Sequence, residues 1–218
     1  MIRLCVFDLD GTLVNSLQDL ANSTNYALEK NGFPQRGIDE YLYFLSDGLP
    51  MLLQRALGEN YTEKAVLLLA ADFQDYYSRH YADFTRPYAR VPELLNNLQG
   101  RGIQLAVLSN KPDNFAKIIV RNLLPETTVA IIQGKTQEFA QKPDPASLLY
   151  VLQELRIPAN EALYIGDSNV DIFTAHNAGV KAVGVTWGFR KKSELIAAGA
   201  DYLVDSPLEI LQLVLQEK

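Results

Sequence analysis

Asp8 and Asp10 stand one residue apart in Phe7-Asp8-Leu9-Asp10-Gly11-Thr12, at the end of an apolar run that starts close to the N-terminus. The run Ile2-Arg3-Leu4-Cys5-Val6-Phe7 reads as a buried strand, because a short apolar stretch here ends in acids and glycine. Alternate residues of a strand share a face. Both carboxylates can therefore converge at its C-terminal end, the edge where open α/β sheets bind ligands. Two acids with no basic neighbour repel each other unless a cation or a shared proton relieves them. Asp-Gly is also a common turn, so the pair by itself fits a solvated strand exit equally well.

Three further polar sites fall where strands end. Ser109-Asn110-Lys111-Pro112 follows an apolar run that closes at Leu108, and Gly166-Asp167-Ser168-Asn169-Val170-Asp171 follows one that closes at Ile165. Between them, Lys142-Pro143-Asp144-Pro145 sets a lysine just before a helix start. Taken singly, Ser109 and Asn110 read as helix caps, Asp167 and Asp171 as cap and first-turn acids, and Lys142 as a surface lysine. Taken together, each central strand end carries a group useful to a phosphate or to Mg²⁺. A phosphate monoester carries about two negative charges, so an attacking carboxylate needs that repulsion relieved. Mg²⁺ held by acids relieves it, and Lys142 with loop amides can stabilise the phosphoryl oxygens. Asp8 or Asp10 as nucleophile would give an aspartyl-phosphate. The other acid would protonate the leaving alkoxide and then deprotonate water.

The elements that must position these groups alternate from about residue 89 onward. Val91, Leu94, Leu95 and Leu98 mark a helix; Ile103–Leu108 reads as a strand and Asn114–Leu123 as a helix; the β-branched run Thr127–Ile132 reads as a strand. Helix Ala146–Leu155, strand Ala162–Ile165, helix Val170–Ala178 and strand Val180–Val185 follow, then strand Tyr202–Val204 and a helix from Pro207 through Leu215. Strands joined by crossover helices imply an α/β protein with a parallel sheet covered on both faces. Residues 16–83 differ, being helical without strands. Leu17, Leu20, Ala21 and Thr24 share one face, as do Leu49, Leu52, Leu53 and Ala56, and again Val66, Leu69, Ala70, Phe73 and Tyr77. This stretch reads as a helical insertion after the first strand.

Asp8-Leu9-Asp10-Gly11-Thr12, Ser109, Lys142 and Gly166-Asp167-Ser168-Asn169-Val170-Asp171, in this order, resemble the four motifs of the haloacid dehalogenase-like hydrolases. The resemblance implies a Rossmann-like core formed by residues 1–15 and 84–218, with an α-helical cap domain inserted at 16–83. By position, Asp8 resembles the nucleophile and Asp10 the general acid/base. Thr12, Ser109, Asn110 and Lys142 resemble phosphate ligands. Asp8, the Asp10 carbonyl and Asp167 resemble the Mg²⁺ ligands, with Asp171 behind them. An acid at position 10 separates the phosphatases from the dehalogenating members. Gly48 to Leu57, Ser109-Asn110-Lys111-Pro112, Lys142-Pro143-Asp144-Pro145, Gly184-Val185-Thr186-Trp187-Gly188-Phe189 and Ala198-Gly199-Ala200-Asp201 are similar to the phosphoglycolate phosphatase-like branch. Asn15 departs from it, standing where that branch carries Asp near the start of the cap. The implied reaction is Mg²⁺-dependent hydrolysis of a small phosphorylated metabolite, phosphoglycolate foremost. A phosphosugar mutase, an inorganic pyrophosphatase and a catalytically silent regulatory protein on the same fold are the alternatives.

Whole-chain properties narrow the partners. A formal net charge of −6 over 218 residues argues against nucleic acid or an anionic membrane as the main partner. The lone Cys5 excludes an internal disulfide, and no signal segment or membrane-length apolar run is evident, so a reducing cytoplasm is the expected setting. Two histidines leave oxygen as the ligand type for any metal. Gly134-Lys135-Thr136 resembles the end of a Walker loop, but Val129 occupies the place of its first glycine. Candidate substrate contacts are Asn15, Gly48, Arg55 and Arg190. The loop Ser46-Asp47-Gly48-Leu49-Pro50 offers no cation of its own for a glycolate carboxylate, the nearest being Arg55. Monomer and homodimer stay open.

Overall fold

The computed structural model describes residues 1–216. Its chain divides into two compact units, Met1–Val14 with Pro87 onward, and Asn15–Arg86.

The first unit is built on a six-stranded sheet. β1 (Leu4–Phe7), β4 (Gln104–Pro112), β5 (Ile131–Lys135), β6 (Ala162–Gly166), β7 (Lys181–Val185) and β8 (Tyr202–Val204) lie in the order β5-β4-β1-β6-β7-β8. Every pairing is parallel. All four residues of β1 are buried, as expected of a central strand with helices on both faces. Its register sets Phe7 level with Val107 and with Ile165. The residues that follow β1, β4 and β6 therefore meet at one edge. The chain runs outward from β1 through β4 to β5, then returns to β6. This reversal beside β1 is the switch point where α/β sheets open a crevice.

Helices α5 (Val91–Gln99), α6 (Asp113–Leu123), α7 (Ala146–Leu155), α8 (Asn169–Asn177), α9 (Lys192–Ala197) and α10 (Pro207–Gln216) cover the sheet. Leu4 and Val6 of β1, Ala106 and Leu108 of β4 and Tyr164 of β6 form one core with Leu148, Val151 and Leu152 of α7 and with Ile172 and Ala175 of α8. Cys5 and Phe7 point to the opposite face by strand alternation and are equally buried. Burial pushes the Cys5 thiol up to about 12, which makes it an inert apolar side chain. The result is the Rossmann-like α/β fold that the motif order implies.

The second unit holds α1 (Leu17–Lys30), α2 (Ile38–Phe44), α3 (Gly48–Leu57) and α4 (Glu63–His80). α1 and α4 form its main packing pair. The expected stripes supply its core: Leu20, Ala21 and Thr24 from α1, Leu52, Leu53 and Ala56 from α3, and Leu69, Phe73 and Tyr77 from α4 are buried. Ser23 and Thr24 hide their hydroxyls by donating to the carbonyls of Asp19 and Leu20 one turn back. Asp19 itself is buried and accepts the N–H of Phe84, the N–H of Thr85 and, at 2.6 Å, the Thr85 hydroxyl. It thereby joins the beginning and the end of the unit. Two-residue strands β2 (Val14–Asn15) and β3 (Arg86–Pro87) pair where the chain passes between units.

One expected element is displaced. Residues 127–130 form a loop, and β5 spans Ile131–Lys135 in place of the expected Thr127–Ile132. The exit from α6 consumes the earlier residues: the Thr127 N–H bonds back to the Leu124 carbonyl, and pairing with β4 begins only at Ile131 opposite Ala106. Among the described residues no helix is long and apolar enough to cross a membrane.

Candidate active site

Asp8 leaves β1 with its N–H donating to the Ile165 carbonyl of β6 at 2.9 Å. Its Oδ1 accepts the Leu9 N–H at 2.7 Å and lies 3.1 Å from Lys142 Nζ. The chain then turns tightly: the Leu9 carbonyl accepts the Leu13 and Val14 N–H groups, and the Gly11 N–H donates to the Val14 carbonyl. Gly11 carries φ +84°, a conformation glycine adopts without strain. A Cβ there would stand 2.3 Å from Asp167 Oδ2. Glycine is thus required twice at this position, once for the turn and once for the acid behind it.

Asp167 follows β6 and is fully buried. Its Oδ2 accepts the Phe189 N–H at 2.7 Å, and its Oδ1 accepts the Thr12 hydroxyl at 3.3 Å. The Phe189 contact depends on Gly188, where a Cβ would lie 2.2 Å from Asp167 Cβ and 2.5 Å from the Gly11 carbonyl oxygen. Trp187 ties the same loop to the first motif by donating its indole N–H to the Thr12 carbonyl at 3.1 Å. Asp171 sits in the first turn of α8 in a capping box with Ser168. Its Oδ2 accepts the Ser168 hydroxyl at 2.6 Å and the Ser168 N–H at 3.1 Å.

Lys142 connects the acids. Its buried ammonium lies 2.7 Å from Asp171 Oδ1 and 3.1 Å from Asp8 Oδ1, and donates to the Tyr164 hydroxyl at 3.1 Å and the Leu108 carbonyl at 3.3 Å. Burial opposes its charge, but Asp171 and Asp8 outweigh that and hold Lys142 well above the usual lysine range. The carboxylates respond in the opposite sense to a desolvated site. Burial pushes Asp8 up to about 7, with Lys142 pulling it down and Asp171 and Asp10 pushing it further up. Burial, followed by the charges of Asp171 and Asp8, raises Asp167 well above the carboxylate range.

Asp8, Asp167 and Asp171 offer carboxylate oxygens that all lie within 4.8 Å of one another. An all-oxygen buried trio facing one ammonium is the donor chemistry that a hard divalent cation suits. Its positive charge would favour the ionised form of acids that burial otherwise opposes. The residues fit such an ion. Asp171 already has Lys142 on one oxygen and Ser168 on the other, whereas Asp8 carries no hydrogen bond on Oδ2 among the described residues.

The Asp10 carboxylate stands apart from this trio. Both of its oxygens face Lys111 Nζ, at 3.1 and 3.0 Å, with the lysine side chain 4% exposed and that of Asp10 18%. Ser109 is buried, its hydroxyl accepting the Lys111 N–H at 3.3 Å. Asn110 is directed elsewhere, accepting the Lys142 N–H at 2.8 Å and donating to the Lys142 carbonyl at 3.3 Å. Its carboxamide thus fixes the backbone that carries Lys142. Arg190 lies buried in the loop after β7, next to Phe189.

In the helical unit, Asn15 accepts the Leu17 N–H at 3.3 Å at the start of α1. Gly48 opens α3 at φ +76°. Arg55 pairs with Asp47 at 2.6 Å and also donates to the Tyr43 and Phe44 carbonyls.

Lys111 and Tyr164 received no role from the sequence. The signal for Lys111 was its place two residues after Ser109 in the same polar motif. Tyr164 gave only the weaker signal of a hydroxyl inside an apolar strand.

The family model for haloacid dehalogenase-like hydrolases matches residues 5–185. The chain belongs to that family. A phosphoglycolate phosphatase of Mannheimia succiniciproducens is 33% identical over 97% of this chain and 98% of its own length. One from Pseudomonas syringae pv. tomato is 37% identical over 86% of this chain and 70% of its own. Among solved structures, a predicted phosphoglycolate phosphatase from Haemophilus somnus superposes with a TM-score of 0.90 at 32% identity, covering 97% of each chain. This member of the haloacid dehalogenase-like hydrolases is a phosphoric monoester hydrolase.

Proposed function

We propose that this phosphatase hydrolyses 2-phosphoglycolate, with Asp8 as the nucleophile and Mg²⁺ as the cofactor. The observation that carries the reading is Lys142 set between Asp8 Oδ1 and Asp171 Oδ1, which leaves Asp8 Oδ2 without a hydrogen bond among the described residues. Lys142 keeps Asp8 oriented and favours its anionic form, and Oδ2 attacks phosphorus as the phosphorus–ester oxygen bond breaks. Asp10 gives its proton to the departing alkoxide, then takes one from the water that attacks phosphorus and frees Asp8. Lys142 and Ser109 hold phosphoryl oxygens, supported by loop N–H groups. Asp8 and Asp167, with the Asp10 carbonyl, would hold the Mg²⁺, and Asp171 orients Lys142 behind them. When bound, the ion offsets the repulsion between the Asp8 carboxylate and the phosphoryl group. Residues 16–83 act in this reading as a cap domain on a catalytic core of residues 1–15 and 84–218. The names of the relatives support glycolate as the leaving group.

The test is phosphate release from 2-phosphoglycolate with Mg²⁺, run beside Asp8→Asn. Asn preserves size while removing the nucleophile, so turnover should fall by at least about 10⁴-fold and by up to roughly 10⁶-fold, the cost of deleting a nucleophile. Rapid quench of the wild type should place a labelled phosphoryl group on Asp8. An Asp8→Asn protein that retains turnover would exclude this nucleophile. Positional isomerisation of a sugar phosphate without release of inorganic phosphate would replace the hydrolase by a mutase.

A further inference from the structure

Lys111 is a buried lysine that the hydrolytic steps above do not use. Lysines are almost never fully buried without a charged partner, and here the partner is the proposed acid/base: Nζ faces both oxygens of Asp10 at 3.0 and 3.1 Å. Lys111 lies two residues beyond Ser109, a proposed phosphoryl contact, in the part of β4 whose register against β5 is irregular. In the proposed reaction Asp10 serves the leaving group, so the ammonium paired with it sits on that side as well. Resting on the proposed reaction, Asp10 must come within about 2.6–3.2 Å of the ester oxygen to protonate it. Lys111 then lies one carboxylate further on. In the phosphate ester of a 2-hydroxy acid, the acid's own carboxylate is attached to the carbon that bears that ester oxygen. The substrate's second anion and the Asp10 carboxylate thus fall within reach of one ammonium, which has three rotatable N–H donors.

Four other cations already have several partners. Lys142 serves Asp8, Asp171, Tyr164 and the Leu108 carbonyl. In the helical unit, Arg36 donates to the Ala56 and Leu57 carbonyls, Arg86 to those of Ala82, Asp83 and Thr85, and Arg55 is paired with Asp47. We propose that Lys111 is the specificity-determining residue that reads the negative charge of the leaving group, selecting phosphate esters of small 2-hydroxy acids over phosphate esters of neutral alcohols.

The experiment compares kcat and KM for 2-phosphoglycolate and for its neutral counterpart 2-hydroxyethyl phosphate, in the wild type, Lys111→Met and Lys111→Arg. The wild type should favour the carboxylate-bearing ester by roughly ten- to a hundredfold in kcat/KM, the range of a charge-assisted hydrogen bond. In Lys111→Met that ratio should collapse toward one, mainly through a raised KM for 2-phosphoglycolate, whatever happens to both rates together. Lys111→Arg keeps the charge and should restore most of the ratio. If Lys111 only holds Asp10 in place, both esters lose equally and the ratio stands, which overturns the inference. A wild type active on both esters without preference also overturns it, independently of how the variants fold. A wild type that releases phosphate from neither ester overturns the proposed reaction itself.

Discussion

The side chains of this site are held by contacts that tolerate no added atom, and Gly188 is the sharpest case. Its neighbour Phe189 supplies the 2.7 Å N–H to Asp167, and a methyl group at 188 would meet the Asp167 Cβ at 2.2 Å and the Gly11 carbonyl at 2.5 Å. Neither obstacle is the flexible end of a long side chain, so the loop itself must shift. Asp167 would then lose a donor that favours its ionised form while burial continues to oppose it. Gly188→Ala is expected to leave a folded protein that needs at least about tenfold more Mg²⁺ for half-maximal phosphate release, the low end of effects from disturbing groups that support metal ligands. A metal titration of the rate checks this, and an unchanged midpoint would dissociate the loop from the acid. Lys142 illustrates the converse, a charge retained because four partners share it. Removing one member of a buried ion pair leaves the others uncompensated, which is why such lysines cannot be replaced neutrally.

Asp19 acts at the scale of elements, binding the first turn of α1 to residues 84 and 85 in the helical unit. Asp19→Ala would leave two N–H groups and a hydroxyl without their acceptor, at a cost of about 2–4 kcal/mol in the stability of that unit. Denaturant unfolding followed by amide exchange should show the loss concentrated at Phe84 and Thr85. A change below about 0.5 kcal/mol would make the clamp incidental. Elements of this kind were unequally legible in the sequence. The sequence patterns of helix α7 and strand β8 coincide with their observed bounds, because unbroken apolar patterns end there in clear turn signals. The sequence pattern puts the start of β5 four residues early because Thr127 and Thr128 have strand propensity, while their place after Leu124 and Pro125 makes them a turn. α2 left no stripe to read: only Tyr41 of its seven residues is buried. β4 continues through the motif to Pro112, with an irregular register against β5 after Leu108. That extension places Lys111 beside Asp10, and apolar periodicity cannot report it, since the residues concerned are polar. The carboxylates and Lys142 were legible because their types and order carry the chemistry, whereas Tyr164 and Phe189 enter through a hydroxyl and a backbone N–H.

At the scale of the whole molecule, charge decides how the substrate must be captured. The chain carries a formal net charge of −6, and a phosphate ester is itself anionic, so the long-range field repels what the site binds. In the proposed reaction attraction comes from the buried Lys142 and Lys111, whose surroundings exclude the ions that would screen them. Salt acts on these two effects unequally. Raising ionic strength from about 0.01 to 0.1 M shortens the screening length from roughly 30 to 10 Å, which removes the repulsion and leaves contacts at 3 Å nearly intact. The value of kcat/KM for an anionic ester should consequently rise slightly or stay within about threefold across that range, in contrast to electrostatically steered association, which falls steeply with salt. Steady-state rates at fixed free Mg²⁺, with sodium chloride varied, test the point. A tenfold fall would mean that a positive surface field draws the substrate in, and capture could not then be assigned to the two buried lysines.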